Sequence, residues 1–288
     1  IARALHGKST HSIGLIVPTV ALPFFGELTE HVEDFLADHG YRTFVCNSMG
    51  KADREREYLD LLVSHRVDGI ISSAHNDGMA DYGSIHLPLV SVDRDLSPIV
   101  PNVRCDNEAG GRLAAEHLLK RGARRPALLT SRTGIHNLRE KGYRQVLQQA
   151  GIEPVVLTVD FNTPNSERPG LIRERLDLVA DDIDAVFATD DLAAAQVMEW
   201  AAQRDLRIPD DFKVIGFDGT IAMQHALPAL TTIQQPISKL ARAAVDLLLN
   251  RIESANAVSS DNEQSSEPRG DQQAPSPMPV RLLPGRTA

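Results

Sequence analysis

The 288-residue sequence lacks the features that mark membrane, disulfide-rich and zinc-binding proteins. No stretch approaches the ~18 consecutive apolar residues of a membrane-spanning helix, and residues 1–10 have no apolar core like that of a signal peptide. The only cysteines, Cys46 and Cys105, have no CxxC or CxxH neighbour. We therefore predict a cytoplasmic protein with no membrane partner and two buried thiols, without a disulfide framework or a zinc site.

Common catalytic and nucleotide-binding motifs are also missing. The sequence contains no GxGxxG, GxxxxGK[ST], GxSxG or HExxH, and its ten histidines show no metal-like spacing. We expect no catalytic residue, no metal and no cofactor. A sugar hydrolase that uses two of the acids stays an alternative, because a sequence cannot show the separation of two carboxylates that this chemistry needs.

Positive charge is scarce, and the rest of the composition is ordinary. The chain has 30 Lys and Arg against 39 Asp and Glu, a net charge of −9, so any contact with DNA must be local. Hydrophobic residues make up 42% and charged residues 24%, which is typical of a folded globular protein. At about 150 residues per domain, the length indicates roughly two domains.

Short β-branched runs alternate with amphipathic helical patterns in two successive series. This alternation predicts an α/β protein with two doubly wound parallel sheets, and the nearly continuous apolar runs indicate strands buried on both faces. The predicted strands are residues 12–18, 43–47, 67–72, 87–93 and 102–106, then 125–130, 155–160, 184–190 and 212–218. The predicted helices are residues 24–39, 138–150, 171–180, 192–204 and 237–252.

The composition changes sharply near the end of the chain. Residues 254–277 are rich in Ser, Glu, Asp, Gln and Pro and have almost no large apolar side chain. Such a segment cannot offset its ordering entropy, so we predict a disordered insertion. Residues 278–283 then form a strand-like run that we expect to return to a sheet edge.

Polar and aromatic residues gather where the predicted strands end. Ligands of open parallel sheets bind at the carboxyl ends of strands, and carboxylates, a guanidinium and aromatic faces together suit a neutral polyhydroxylated ligand. These residues are Ser72, Ser73, Asp93, Arg94, Asp106, Asp160, Asp190, Asp191 and Asp218, with Phe24, Phe25 and Phe161. The set predicts a sugar as the ligand.

Each of these residues also has an ordinary structural explanation. Asp106 and Asp191 precede helical patterns and could be simple helix caps. By periodicity Phe25 packs inward, which leaves Phe24 as the better candidate for a ligand contact. Arg139 opens an amphipathic helix, where a lone arginine is commonly solvated. Only the convergence of these residues in space favours a function.

Nine motifs in order resemble the effector-binding core of the LacI/GalR family of bacterial transcription repressors. They are SIGLIVP followed by PFF, VDGIIS, SVDRD, DNxxGG, RxxGYR, ATDDLAA, IPDDFKVIGFDGT and LTTIQQP. The similarity covers residues 1–252 and 278–288, and the FDGT form is most similar to members that respond to sugars such as sucrose or ribose. The resemblance implies a periplasmic-binding-protein-like type I fold, with two Rossmann-like subdomains joined by three crossovers.

The resemblance also implies a DNA-binding role. In the family a helix-turn-helix and a hinge helix precede this core. The helix-turn-helix is absent from this chain, and residues 1–10 resemble the end of the hinge helix. Leu5 matches the position that wedges into the minor groove of operator DNA. A homodimer is the expected state, because helix-turn-helix proteins usually address two half-sites related by two-fold symmetry.

Position by position, the resemblance implies an effector site in a cleft between the subdomains. The subdomains are expected at residues 11–105 with 234–253, and at 106–233 with 278–288. Asp190 and Leu22 depart from the family, which usually has Asn at both positions. The runner-up is a periplasmic-type sugar-binding protein of a transporter. The implied effector-binding residues are Phe24, Phe25, Ser73, Arg139, Phe161, Asp190, Asp218 and Gln235.

Overall fold

The computed structural model describes residues 9–76, 79–260 and 275–288, with no side chains described for residues 258–260. Leu5 and residues 1–8 of the predicted hinge segment lie outside the described residues. The chain divides into two compact units. Unit 1 comprises Ile1–Arg104 and Ile237–Met278, and unit 2 comprises Cys105–Pro236 and Pro279–Ala288.

Unit 1 is built on a five-stranded parallel sheet with the strand order β2-β1-β3-β4-β5. The strands are β1 (Ser12–Val17), β2 (Arg42–Asn47), β3 (Gly69–Ser72), β4 (Leu89–Val92) and β5 (Asn102–Val103). The helices are α1 (Pro23–Asp38), α2 (Ala52–Ser64), a 3-10 helix at Ala80–Ser84, and α8 (Ile237–Ser260).

Unit 2 is built on a six-stranded sheet with the strand order β11-β10-β9-β8-β6-β7. All pairs are parallel except β10 with β11, which places residues after the predicted insertion at a sheet edge. The strands are β6 (Pro126–Thr130), β7 (Val155–Thr158), β8 (Ala185–Ala188), β9 (Lys213–Asp218), β10 (Thr231–Gln234) and β11 (Arg281–Leu283). The helices are α3 (Asn107–Lys120), α4 (Leu138–Gln149), α5 (Arg168–Asp177), α6 (Asp191–Gln203) and α7 (Ile221–Ala226).

The pattern of burial explains why these segments fold as they do. All four residues of β3, β4 and β8 are buried, as expected for central strands covered on both faces. Helix α1 buries Leu28, Val32 and Leu36 along one stripe and packs against α8. The prediction of two doubly wound α/β subdomains with three crossovers is confirmed, and both cysteines are buried thiols, as predicted.

The predicted start of the disordered insertion at residue 254 is wrong, because α8 continues past residue 252 to Ser260. Residues 254–260 are therefore helical and not disordered. Extending an existing helix costs far less than starting one, so the buried part of α8 can propagate into polar residues. The Ser254 hydroxyl donates to the Asn250 carbonyl at 2.8 Å within this helix. Residues 261–274 lie outside the described part of the chain.

Two further differences concern the boundaries of the subdomains. The second crossing between the units falls after Pro236, later than the predicted residue 234, because β10 pairs with β9 and stays in unit 2. Residues 254–277 were expected to lie outside both subdomains and residue 278 in the second one, whereas unit 1 extends to Met278. No helix within the described residues has the length and apolar character that crossing a membrane requires.

Candidate functional site

Two glycines let helices α3 and α4 cross in direct backbone contact. A Cβ atom on Gly111 would lie 2.0 Å from the Arg139 carbonyl oxygen, and a Cβ on Gly142 would lie 2.0 Å from the Glu108 carbonyl oxygen. No larger side chain fits at either position. The crossing explains the glycines of DNxxGG and RxxGYR, and it brings Arg139 in the first turn of α4 beside Asn107 at the start of α3.

Arg139 is fixed by contacts with three elements of unit 2. Its Nε donates to Asn107 Oδ1 at 2.7 Å, and its Nη1 donates to the Thr189 carbonyl at 2.5 Å. The guanidinium carbon lies 3.7 Å from the centre of the Phe217 ring, and Nη1 lies 3.7 Å from Asp218 Oδ1. The alternative that Arg139 is a solvated helix residue is therefore wrong, because its side chain is held at the carboxyl ends of β8 and β9.

Asp218 ends β9 in an unusual backbone conformation. Its φ is +100°, a region that residues with a Cβ rarely occupy. Gln235 holds it twice: the Gln235 amide donates to the Asp218 carbonyl at 3.0 Å, and Gln235 Nε2 donates to Asp218 Oδ1 at 2.8 Å. Burial raises the pKa of Asp218 well above its usual range; Arg139 opposes this rise, while Asp191 and Asp190 add to it.

Gln235 has spare hydrogen-bonding capacity. Its side chain is almost fully buried, yet no described residue donates a hydrogen bond to its Oε1 atom. Buried polar atoms are rarely left unsatisfied in folded proteins. An acceptor of this kind beside a carboxylate suits a ligand that brings a hydroxyl donor.

Asp190 and Asp191 are neighbours with different roles. Asp190 caps α6, because its Oδ1 accepts from the Ala193 amide at 2.7 Å. Asp191 is buried in the first turn, where it accepts from the Gly219 amide at 2.8 Å and from the Thr232 hydroxyl at 2.6 Å. Burial raises the pKa of Asp191 to about 7, against the lowering effect of these hydrogen bonds. Asp106 caps α3 in the same way as Asp190 caps α6.

Sequence reasoning missed Arg168, the first residue of α5. Its Nη2 lies 3.4 Å from Asp190 Oδ2, and its Nη1 donates to the Asp160 carbonyl at 3.2 Å. Arg168 thus links Asp190 to the loop after β7 that carries the half-buried Phe161. Its place at the start of a helix that follows a strand is the one signal that could have indicated it.

The three unit 1 residues that the resemblance implies as effector-binding, Phe24, Phe25 and Ser73, are buried inside that unit, whereas Asp93 and Arg94 after β4 are half-buried. The rings of Phe24 and Phe25 meet edge to face at 5.1 Å, and Phe25 meets His75 in the same manner at 5.3 Å. Ser73 is completely buried and donates its hydroxyl to the Val92 carbonyl at 3.1 Å. The 5% exposure of Phe24 gives no support to the predicted ligand contact of this residue. Phe25 is also buried, in agreement with the inward packing that its periodicity predicts.

A buried glutamate that the sequence did not single out stands at the end of β3. Glu55 on α2 accepts hydrogen bonds from the Tyr82 hydroxyl at 2.5 Å and from Asn76 Nδ2 at 2.6 Å. The Tyr82 hydroxyl also lies 2.9 Å from the Ser72 hydroxyl. Burial raises the pKa of Glu55, although Tyr82 and Asn76 oppose the rise. The carboxyl end of β3 is therefore occupied by internal hydrogen bonds.

The described residues bring five of the predicted side chains into unit 2. Asp218 is in contact with both Arg139 and Gln235, while Asp190 pairs with Arg168, which also bonds the backbone carbonyl of Asp160 next to Phe161. Across residues 9–76, 79–260 and 275–288, no cluster of three or more His, Cys, Asp or Glu is arranged to hold a metal ion. The set offers carboxylate acceptors, guanidinium donors and an amide, which is the chemistry that binds hydroxyl groups.

Comparisons with known proteins agree with this architecture. Residues 115–269 match the family described as periplasmic binding protein-like domain. The chain is 38% identical over 260 residues to the sucrose operon repressor of Streptococcus mutans, covering 88% of this chain and 78% of that protein. It is 33% identical over 255 residues to the ribose operon repressor of Halalkalibacterium halodurans, covering 88% of this chain and 76% of that protein.

Solved structures give the same result. A periplasmic binding protein/LacI transcriptional regulator from Alkaliphilus metalliredigens, complexed with D-xylulofuranose, has a TM-score of 0.81 at 28% identity, covering 96% of this chain and 99% of that one. A LacI family regulator from Enterococcus faecium with bound ribose has a TM-score of 0.77 at 26% identity, covering 96% and 98%. Both sequence relatives are named as operon repressors. The chain belongs to the LacI/GalR family of transcription regulators and contains its periplasmic binding protein-like effector-binding core.

Proposed function

We propose that this chain is the effector-binding part of a sugar-responsive transcriptional repressor. In this proposal a small carbohydrate binds the unit 2 cluster of Arg139, Asp190, Asp218, Gln235 and Phe161. Relatives named as sucrose and ribose operon repressors, and LacI-family structures that hold D-xylulofuranose or ribose, support a sugar as the effector. The protein acts as a switch and not as a catalyst.

The observation that carries the proposal is the fixed set of donors and acceptors at the ends of β8 and β9. The Arg139 guanidinium lies 3.7 Å from Asp218 Oδ1, and the buried Oε1 of Gln235 has no donor among the described residues. A sugar hydroxyl can donate to Gln235 or Asp218 and accept from Arg139 in the same place. The backbone of Asp218, at a φ of +100°, is strained in the way that residues at functional sites often are.

Binding would be read out as a change in affinity for operator DNA. An effector shifts a two-state protein only by its differential affinity for the two states. A coupling of about 1 to 3 kcal/mol would change operator affinity by about 5- to 150-fold. Operator DNA would be held through the helix-turn-helix that the family resemblance implies. Phe24, Phe25, Ser73 and, for DNA, Leu5 stay predictions from the resemblance.

We extend the proposal to a cytoplasmic homodimer that assembles through unit 1. Strand β2 is the edge strand of its sheet, and it leaves Phe44 and Val45 about half exposed, as is Met49 just after it. Exposed large apolar side chains on an edge strand are typical of a protein–protein contact. A second copy of the chain is the occupant that operator half-sites with two-fold symmetry require.

Isothermal titration calorimetry with ribose, D-xylulose and sucrose tests the sugar site. We expect Asp218→Asn and Arg139→Lys to abolish binding, because the first removes a carboxyl group that accepts from a hydroxyl and the second removes the planar guanidinium that donates to one. Arg207→Ala, which breaks an exposed ion pair with Asp211, is the control that should bind as the wild type does. Undiminished affinity in both site variants, or the appearance of a reaction product, would contradict the proposal.

A further inference from the structure

We propose that the ion pair between Arg168 and Asp190 makes this site select neutral sugars and reject their phosphate esters. The inference rests on the proposed function, because it names the class of sugar that the same site takes. It is carried by the geometry around these two side chains, and by the fact that both arginines of the unit 2 cluster already have an aspartate beside them.

The pair is held in place from both sides. Arg168 is tied to the loop after β7 by its bond to the Asp160 carbonyl, and Asp190 is tied to α6 by its bond to the Ala193 amide. The Arg168 side chain is 18% exposed and that of Asp190 is 32% exposed. A ligand can therefore reach a carboxylate oxygen and a guanidinium group that stand side by side.

A donor and an acceptor at this separation suit two neighbouring hydroxyls of a sugar. One hydroxyl can donate to Asp190 Oδ2 while the other accepts from Arg168, and neither contact separates the ion pair. Hydrogen bonds in which one partner is charged are the strong ones, so this arrangement holds a neutral ligand firmly. The sugar needs no charge of its own.

An anionic ligand meets a different situation. Both guanidiniums described above already have a carboxylate within 4 Å, namely Asp190 for Arg168 and Asp218 for Arg139. The N-terminus of α6, which would otherwise attract an anion, is occupied by the Asp190 carboxylate. A phosphate placed here would face like charges, and such contacts strongly disfavour a wrong partner.

The experiment compares each neutral sugar with its own phosphate by calorimetry at low ionic strength. The probes are ribose with ribose 5-phosphate, D-xylulose with D-xylulose 5-phosphate, and sucrose with sucrose 6-phosphate. For the wild type we expect the neutral member of the bound pair to bind at least about tenfold more tightly. In Asp190→Asn the side-chain oxygen still caps α6, but the charge of Arg168 is no longer matched. We expect the preference to move toward the phosphate by about tenfold or more.

Two controls separate this effect from a general disturbance. Arg168→Gln in the Asp190→Asn background should cancel the gain for the phosphate, because the unmatched guanidinium is then absent. Asp211→Asn removes an aspartate from an exposed pair with Arg207 and should leave the preference unchanged. Thermal unfolding of each variant shows that it is folded.

The outcomes separate the inference from the proposed function. A wild type that binds a phosphate ester more tightly than the neutral sugar overturns the inference while leaving a sugar site in place. The same holds if Asp190→Asn keeps the wild-type preference. A folded wild type that binds none of the six probes overturns the proposed function and the inference with it.

Discussion

In each unit, backbone amides just before the first strand donate hydrogen bonds to an aspartate. That aspartate directly precedes another strand of the same sheet. In unit 1, the Asp68 carboxylate accepts from the amides of Thr10 and His11 at 3.0 and 2.8 Å. In unit 2, the Asp184 carboxylate accepts from the amides of Arg124 and Arg125 at 2.8 and 2.9 Å. The two units thus share a detail of construction at the amino ends of their strands.

At the carboxyl ends of the strands the two units diverge. In unit 1, Glu55 and Tyr82 close the end of β3 with a buried network of internal hydrogen bonds. In unit 2, the corresponding end carries the arginines and aspartates of the candidate site. Under the proposed function, the same topology uses its polar side chains for stability in unit 1 and for a ligand in unit 2.

The largest effect is expected from disrupting the crossing of α3 and α4, which positions Arg139 in unit 2. Gly111→Ala places a Cβ against the Arg139 backbone, and we expect a loss of about 3 to 5 kcal/mol in the free energy of unfolding. Urea unfolding measures it, and sugar affinity should fall as Arg139 moves. Gly170→Ala on α5, where nothing lies within 4 Å, is the control and should be neutral or slightly stabilising. Equal stability of the two variants would contradict the crossing.

The second prediction concerns the pH dependence of Asp191 in unit 2. Its pKa in the folded state is about 7, above the ordinary 3.8, so its stabilising contribution is complete below about pH 4 and is lost as pH rises toward 7. Asp191→Asn should remove this loss, which is on the order of 4 kcal/mol. The Thr232 hydroxyl can accept from the new amide. Urea unfolding at several pH values measures the change, and parallel curves for both proteins would contradict it.

The third prediction disturbs the buried network of unit 1 alone. Tyr82→Phe removes one of the two side-chain donors, Tyr82 and Asn76, that bond the buried Glu55 carboxyl, and we expect a loss of about 1 to 2 kcal/mol in the free energy of unfolding. Sugar affinity at the unit 2 cluster should stay unchanged, because none of its side chains is altered. A variant with normal stability but weakened sugar binding would contradict the purely stabilising role that we assign to the end of β3 in unit 1.

The smallest expected effect tests the shared detail at the amino ends. Asp68→Asn and Asp184→Asn each replace a carboxylate that binds two amides, and we expect each to cost about 1 kcal/mol. The Asp68 variant should lose more, because Ser9 also donates its hydroxyl to that carboxylate at 2.5 Å. Urea unfolding of both variants measures the difference. A larger loss of stability for Asp184→Asn than for Asp68→Asn would contradict this expectation.

The strands and the main helices could be predicted from the sequence because their apolar patterns are strong. Strand β1 begins at the predicted Ser12, and α4 begins at the predicted Leu138. Helix α2 escaped prediction, since its stripe of buried residues is short and includes the charged Glu55. Strand β10 is missing from the predicted strands, because its polar threonines do not resemble the other strands.

The candidate site was predictable by residue type but not by contact. The position of Arg139 depends on the close approach of two helices at Gly111 and Gly142, which no local pattern reveals. A shift of one residue decides that Asp190 caps α6 while Asp191 is buried. Arg168 reaches the site only through the packing of α5 beside α6. Such contacts arise from tertiary structure, and a single sequence does not encode them locally.

The left-handed backbone of Asp218 has a consequence for evolution. Glycine would occupy that conformation without steric penalty, and it would relieve a strain of about 1 kcal/mol or more. Selection for heat resistance alone would therefore favour glycine at this position, and the carboxylate would be lost. Persistence of aspartate under such pressure would mark the residue as retained for recognition at the expense of robustness.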